Sequence, residues 1–220
     1  MSRKKRIWYP GASYHVMSRG NRRLILYKDS ADFLDFLEGV DRAKKIYPFR
    51  LHAVCLMTNH FHILIETGED ELWKIMKKIL HSYAMVFNQR YHYTGHLFES
   101  RYTSCLIEDE RYFLEVSRYI HLNPVKARMV REPLAYDYSS YSSFVNVPGG
   151  DHAETGRKDY TKEKIAGLIS ELVDTDRVLG AFRNNSREQY RMFVEGKISH
   201  AEQEMLIQKD MNEDDLWLPW

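Results

Sequence analysis

The hydrophobic pattern of the chain predicts four β-strands. Alternating apolar residues at 12–18 indicate a first strand, and the apolar run 49–57 indicates a second. Thr58-Asn59 is typical of a tight turn, so residues 60–66 are expected to form the other arm of a hairpin. Residues 97–107 predict a fourth strand.

Between these strands, apolar residues recur at helical spacing. One helix follows a cap at Asp29 and ends before Pro48, and a longer one runs over residues 69–91. A third begins near Glu110, and Pro124 is expected to close it. The first six elements, β-α-β-β-α-β, follow the split βαβ order of ferredoxin-like folds. We therefore predict an α+β fold, with an antiparallel sheet and the helices packed on one face.

The pattern changes after about residue 135, and Pro148-Gly149-Gly150 is typical of a linker. This change predicts a catalytic or binding domain over residues 1–145 and an acidic, mainly helical C-terminal extension over 146–220. Three helices are expected in the extension: 161–173, 176–195 and 199–210.

Charge is distributed unevenly along the chain. Residues 1–131 carry 22 Lys and Arg against 14 Asp and Glu, whereas the remainder carries 10 against 17, although the whole chain has a net charge of only +1. A basic front segment favours a nucleic-acid partner, because neutralising phosphates supplies most non-specific affinity. The alternative is ordinary variation of a solvated surface.

The two cysteines, Cys55 and Cys105, cannot form a disulfide framework, and the predicted strand order places them on opposite edges of the sheet. No apolar run approaches the roughly 20 residues that span a bilayer. The basic N-terminus is not followed by the apolar segment of a secretory signal. These features predict a cytoplasmic protein that does not associate with membranes.

His60 and His62 are the first candidates for chemistry. Residues i and i+2 of a strand point to the same face, so the two imidazoles are expected to lie side by side. Such a pair can hold a divalent cation if a third ligand arrives from elsewhere. The pair alone is weak evidence, because the chain has 10 histidines and an incidental pair is common.

The third predicted helix supplies a nucleophile and a further ligand. Tyr119 and Asn123 are four residues apart, which places them on one helical face. A phenolic oxygen can act as a nucleophile, and an amide oxygen suits a hard cation. Tyr112 lies two turns earlier on the same face, and spacing alone does not choose between the two tyrosines.

Four ordered blocks give the sequence a specific resemblance. The segment Leu56–Leu64, which contains His60-Phe61-His62, resembles the HUH motif of single-tyrosine transposases. The other three blocks, Ser18–Asn21, Gly95–Tyr102 and Ser117–Val125, resemble the REP-associated branch of that family. The resemblance covers roughly residues 10 to 145.

The resemblance implies an HUH fold and a mechanism. His60 and His62 would ligate Mg²⁺ or Mn²⁺, Tyr119 would be the nucleophile, and Asn123 would be the third ligand. The expected activity is cleavage and joining of single-stranded DNA beside a hairpin, through a 5′-phosphotyrosine. The family also makes a homodimer an expected state.

DNA contacts are expected from the basic segment, where arginines can bind phosphates and an aromatic ring can stack on a base. The candidates are Arg19, Asn21, Arg22, Arg23, Arg101 and Tyr102. The alternative interpretation is that these are solvated loop residues.

Other functions remain open. The first alternative is a regulator that binds DNA hairpins on the same fold with little catalysis. It is disfavoured because the His pair and Tyr119 are all present. A relaxase or replication initiator is disfavoured by the short chain. A zinc hydrolase lacks a further His, Cys or Asp cluster of suitable spacing.

Overall fold

A computed structural model describes residues 7–145 and 160–196. Its centre is a four-stranded antiparallel sheet with the strand order β2-β3-β1-β4. The strands are β1 Ser13–Arg19, β2 Phe49–Met57, β3 His60–Thr67 and β4 Thr103–Ile107. As predicted, β2 and β4 are opposite edges, and Cys55 and Cys105 are free thiols.

The helices follow the predicted order. They are α1 Ser30–Ile46, α2 Leu72–Tyr91, α3 Glu110–Lys126, α4 Tyr141–Val145, α5 Tyr160–Leu172, α6 Asp176–Gly180 and α7 Arg187–Glu195. The side chain of Asp29 accepts a hydrogen bond from the first turn of α1, and Asp109 does the same for α3. Within the described residues, no helix combines the length and the apolar composition that crossing a bilayer requires.

The sheet is covered on both faces. Helices α1 and α2 pack on one face, where the rings of Phe36 and Phe61 lie 4.9 Å apart. This confirms the ferredoxin-like arrangement of the first six elements. Helix α3 packs on the opposite face, where Phe113 meets the ring of His52 at 5.1 Å. Because side chains alternate along β3, the histidines of that strand lie on the α3 side.

The fourth strand is shorter than the pattern indicates, since regular pairing begins only at Thr103. Residues 97–99 also pair with the end of β1, through hydrogen bonds from Asn21 N to Leu97 O and from Glu99 N to Arg19 O. Residues 100–102 interrupt the two stretches of pairing. The strand expected over 97–107 is therefore interrupted, with its two paired stretches on either side of residues 100–102.

Pro124 does not close helix α3, contrary to the sequence-based expectation. The helix runs to Lys126, and Ala127 N donates to Asn123 O at 2.9 Å. Proline removes one backbone hydrogen-bond donor. Because Pro124 lies in the last turn of the helix, this loss does not end it. Asn123 therefore stays helical, and it keeps the one-turn relation to Tyr119 on which its predicted role depends.

The C-terminal extension packs on the rest of the chain. The helix expected over 176–195 is instead two helices, α6 and α7, separated by a turn that contains Asn184 at a positive φ of 55°. Helix α5 packs on α1, and α7 packs on α3 and α4. The third expected helix, 199–210, lies outside the described residues.

The outer edge of β2 is covered rather than open. Leu56 N donates to Tyr138 O, Ser140 N donates to Val54 O, and Asp174 N donates to Leu51 O. These bonds satisfy backbone groups that an edge strand would otherwise present to another chain.

Candidate active site beneath helix α3

One pocket gathers residues from distant parts of the chain. It lies at the end of β1 and the beginning of β3, between the 97–102 segment and α3. Its lining residues are Met17, Ser18, Arg19, His60, His62, Glu99, Ser100, Arg101, Thr103 and Tyr119. Five of the predicted site residues therefore meet here: the two histidines, Tyr119, Arg19 and Arg101.

His60 and His62 lie side by side, as their spacing predicts, with ring centroids 5.1 Å apart. The hairpin positions them: His60 pairs with Met57 across the Thr58-Asn59 turn, and His62 pairs with Met17 of β1. His62 is 1% exposed. The ring of Tyr119 meets His62 edge-on, with centroids 5.5 Å apart.

The hydrogen bonds of the two histidines define which nitrogens remain for a ligand. His60 Nδ1 lies 2.8 Å from Asn59 Oδ1, which accepts, so His60 carries its proton on Nδ1. His62 Nδ1 lies 3.0 Å from His15 Nε2. Among the described residues, neither His60 Nε2 nor His62 Nε2 has a hydrogen-bond partner, although both atoms are buried.

Burial keeps both imidazoles neutral at pH 7. It lowers the pKa of His60 to about 4, and the charge of Arg19 acts in the same direction. Burial also holds the pKa of His62 well below its usual value. A neutral imidazole offers a lone pair, so two buried, unpartnered Nε2 atoms are suited to binding a cation.

Tyr119 reaches the pocket from the middle of α3. Its side chain is half-buried, and the ammonium group of Lys126, two turns further along, lies 4.5 Å from the ring centroid. Tyr112 does not line the pocket, and its hydroxyl lies 3.9 Å from Cys105 Sγ of β4. Geometry thus distinguishes the two tyrosines, which spacing could not do.

Asn123 lies one turn after Tyr119, as expected, but it does not line the pocket. It is 5% exposed, and its Nδ2 donates to the backbone oxygen of Tyr119 at 2.9 Å. Oδ1 is therefore the atom with which it would ligate a cation. In residues 7–145 and 160–196, no three His, Cys, Asp or Glu side chains form a metal-binding group. A complete ligand set thus needs an oxygen from an amide, from water or from a substrate.

The predicted DNA-binding residues occupy three environments. Arg19 and Arg101 line the pocket, and Arg19 forms an ion pair with Glu99 at 2.9 Å. Asn21, Arg22 and Arg23 form a 3₁₀ turn beside it, in which both arginines are exposed.

Tyr102 is 6% exposed and packs in the hydrophobic core. Its ring is not presented to a base in this arrangement, because core packing covers it. We therefore leave it out of the proposed DNA-binding set.

A family model described as "Transposase IS200 like" matches residues 9–123, which is just over half of the chain. The chain belongs to this transposase family. The match confirms the family resemblance indicated by the four sequence blocks, and it spans both histidines, Tyr119 and Asn123.

One curated relative of this IS200-like chain and one solved structure of similar fold carry the REP-associated description that the blocks indicate. A putative REP-associated tyrosine transposase of Haemophilus influenzae is 28% identical over 107 residues, 43% of this chain and 60% of the relative. The chain thus spans less than two thirds of that relative's length. A solved REP-associated tyrosine transposase bound to a REP hairpin covers 71% of this chain and 93% of its own, with a TM-score of 0.59. At 18% identity, this likeness shows a shared fold.

One residue of this transposase-family site was missed from the sequence. His15 of β1 is 6% exposed and lies against both His62 and Tyr119. A signal for it existed, because the alternating first strand and the predicted strand order place β1 beside β3. The register between the two strands was missing, and register decides which side chains meet.

Proposed function

We propose that this chain is a metal-dependent endonuclease and strand transferase for single-stranded DNA, acting beside hairpins through a 5′-phosphotyrosine. One observation carries the proposal: two buried Nε2 atoms without partners among the described residues line the same pocket as Tyr119. Family membership supports the same interpretation.

His60 and His62 would hold Mg²⁺ or Mn²⁺, with Asn123 Oδ1 as the third protein ligand. When bound, the cation would offset the negative charge that develops on the scissile phosphate. An amide oxygen suits either ion, and the two neutral imidazoles suit Mn²⁺ better than Mg²⁺, because imidazole is mainly a ligand of transition-metal ions.

Tyr119 would perform the covalent step. Its oxygen forms a bond to phosphorus while the bond from phosphorus to the 3′-oxygen breaks, and the proton lost by the phenol is balanced by the one gained at the new 3′-OH. A different 3′-OH can reverse the step and join two strands. One phosphoester replaces another, so no nucleotide cofactor is required.

The basic residues around the pocket would hold the DNA. Arg19 and Arg101 lie at its wall, and Arg22 and Arg23 project from the adjacent turn with Asn21. These side chains can neutralise phosphates and position the strand without reading its sequence. The hairpin preference is supported by the solved relative of the same fold, which is bound to a REP hairpin.

The test is formation of a covalent adduct. The full chain is incubated with Mn²⁺ and a pool of single-stranded hairpins with randomised flanks, and the products are separated on a denaturing gel and sequenced. A 5′-phosphotyrosine keeps the DNA on the 3′ side of the cut. We therefore expect 3′-labelled strands, and not 5′-labelled strands, to migrate with the protein.

The matched control is Tyr112→Phe, on the same helix. We expect Tyr119→Phe to abolish the adduct while hairpin binding stays within about threefold of the unmodified chain, because only the nucleophile is lost. Tyr112→Phe should leave adduct formation intact. An adduct formed by Tyr119→Phe would contradict the mechanism, and hairpin binding without any adduct would favour the regulator.

A further inference from the structure

His15 occupies the middle of the sheet beside the pocket. It lies on β1, where it pairs with Leu64 of β3 on one side and with Cys105 of β4 on the other. Its ring meets that of His62 edge to edge and nearly coplanar, with centroids 5.2 Å apart and planes 23° apart, and it meets the Tyr119 ring edge-on at 5.7 Å. Contacts from β3 and α3 thus fix this ring.

The two imidazoles are joined by a hydrogen bond that contains one proton. His15 Nε2 and His62 Nδ1 are 3.0 Å apart, so one of them donates and the other accepts. If His15 donates, the proton of neutral His62 is on Nε2. If His62 donates from Nδ1, its Nε2 carries a lone pair instead.

The surroundings of His62 Nε2 distinguish these arrangements. This atom is buried and has no acceptor within hydrogen-bond distance among the described residues. A buried N–H without an acceptor loses its interaction with water and gains nothing in return. A lone pair at the same place is suited to a cation, and His60 already presents Nε2 in this form because Asn59 accepts from its Nδ1.

We propose that His15 is a positioning residue that accepts the Nδ1 proton of His62 and thereby presents the Nε2 lone pair of His62 to the pocket. Asn59 does the same for His60. The identity of the occupant, a divalent cation, rests on the proposed function, whereas the proton position does not.

This arrangement has a measurable consequence for affinity. Acceptors on the second nitrogen of a ligating histidine fix its tautomer and ring orientation and increase its basicity. Loss of such a partner typically weakens metal binding about 10- to 100-fold. A histidine acceptor differs from the carboxylate that often occupies this position, because it adds no charge to the pocket.

The experiment compares three variants of the full chain. His15→Phe keeps a ring of similar size but removes the acceptor, and His15→Gln restores an acceptor through its amide oxygen. His52→Phe is the matched control, because His52 is a buried histidine of the same sheet whose partners are Glu66 and the backbone of Asp174. Urea unfolding reports any general loss of stability.

The first readout is the tautomer of His62 in protein free of metal. Side-chain ¹⁵N spectra of histidine-labelled protein distinguish the two nitrogens, and His62→Gln identifies the resonances. We expect the proton on Nδ1 in the unmodified chain and in His15→Gln, and loss of this preference in His15→Phe. A proton on Nε2 of His62 in the unmodified chain overturns the proposal.

The second readout is the Kd for Mn²⁺ alone, measured from the free-ion EPR signal. His15→Phe should raise the Kd about 10- to 100-fold, whereas His15→Gln and His52→Phe should stay within about threefold. An unchanged Kd in folded His15→Phe overturns the proposal. If the unmodified chain has the expected tautomer but binds no Mn²⁺, the positioning contact is supported and the proposed metal-dependent function fails.

Discussion

Arg19 and Glu99 show how single residues would control access of DNA to the proposed site. The guanidinium group of Arg19 lies against the pocket, and Glu99 accepts hydrogen bonds from both Nε and Nη2 of this side chain, at 3.0 and 2.9 Å. The Arg19 and Glu99 side chains are 18% and 34% exposed, so water reaches the pair only in part. A phosphate that binds here therefore competes with a carboxylate already in place.

Replacing Glu99 with glutamine should strengthen DNA binding. Glu99→Gln removes a negative charge beside the pocket and replaces the ion pair with Arg19 by a weaker neutral hydrogen bond. We therefore expect the Kd for a single-stranded hairpin to fall about two- to tenfold at low salt. Fluorescence anisotropy of a labelled hairpin measures this Kd. Glu108→Gln is the control, since Glu108 is exposed beyond the other end of β4. An equal effect in both variants would assign the change to net charge alone.

Helix α3 connects the pocket with the C-terminal extension at the scale of elements. Tyr119 lies on its pocket side, and His121 is buried on the side that faces α7. The ring of His121 bonds Tyr190 Oη through Nδ1 at 2.7 Å and Ser140 Oγ through Nε2 at 2.8 Å. One neutral imidazole therefore joins α3 to α7 and to the segment that covers β2.

This network predicts a dependence of stability on pH. Burial lowers the pKa of His121 to about 3, and the facing groups, Tyr190, Tyr141 and Ser140, supply no negative charge at neutral pH. The unfolded chain takes up a proton below its pKa of about 6.5, whereas the folded chain does not. Stability is therefore full above about pH 6.5 and decreases as the pH falls towards 3.

The variant His121→Gln isolates this effect. Between pH 7.5 and 5, the free energy of unfolding of the unmodified chain should fall by about 2 kcal/mol more than that of the variant, because His121 takes up a proton only in the unfolded chain. At pH 7.5 the variant itself should be less stable by about 1 to 3 kcal/mol, because its amide cannot keep both hydrogen bonds in the same geometry. Urea titrations across this range measure both quantities. Parallel pH profiles of the two proteins would contradict the assignment.

The sequence predicted the elements better than it predicted their ends. Hydrophobic period located all four strands and the first three helices, because a buried face imposes the period directly. Helix α3 passes through Pro124 because the lost donor lies close to the end of the helix, whereas the break in pairing at residues 100–102 depends on the meeting of this segment with β1, which no local pattern encodes. His15 was missed for the same reason, since it becomes part of the site only through the register of β1 against β3.

At the scale of the whole molecule, the described part of the extension, residues 160–196, is joined to residues 7–145 by polar and apolar contacts. Arg177 of α6 donates to Glu66 at 2.6 Å and to Ser13 at 2.8 Å, and Lys44 of α1 donates to the backbone of Leu172 at 2.7 Å. Several apolar side chains of the extension are fully or almost fully buried: Ile165, Ile169, Leu172, Val178, Leu179, Tyr190 and Val194. The linker composition indicated a boundary in sequence, whereas the described part of the extension shares the core.

Truncation after residue 145 should therefore prevent cooperative folding. Each fully buried side chain of this kind contributes about 1.5 to 3 kcal/mol, and domains are typically stable by only about 5 to 15 kcal/mol. Circular dichroism during urea unfolding of residues 1–145 should show no sharp transition, in contrast to the full chain. A cooperative transition at an unchanged urea midpoint would show that the extension adds nothing to the core.

Tyr119 and His121 are two residues apart on α3, and this proximity has a consequence for evolution and for engineering. A rigid helix transmits small displacements along its length, so a substitution on α7 that tilts α3 also moves the phenolic oxygen. A misplacement of about 1 Å can reduce a rate about 100-fold. If Tyr119 performs the proposed strand transfer, the tolerance of the extension to sequence change is set by the accuracy which that step requires, as well as by folding.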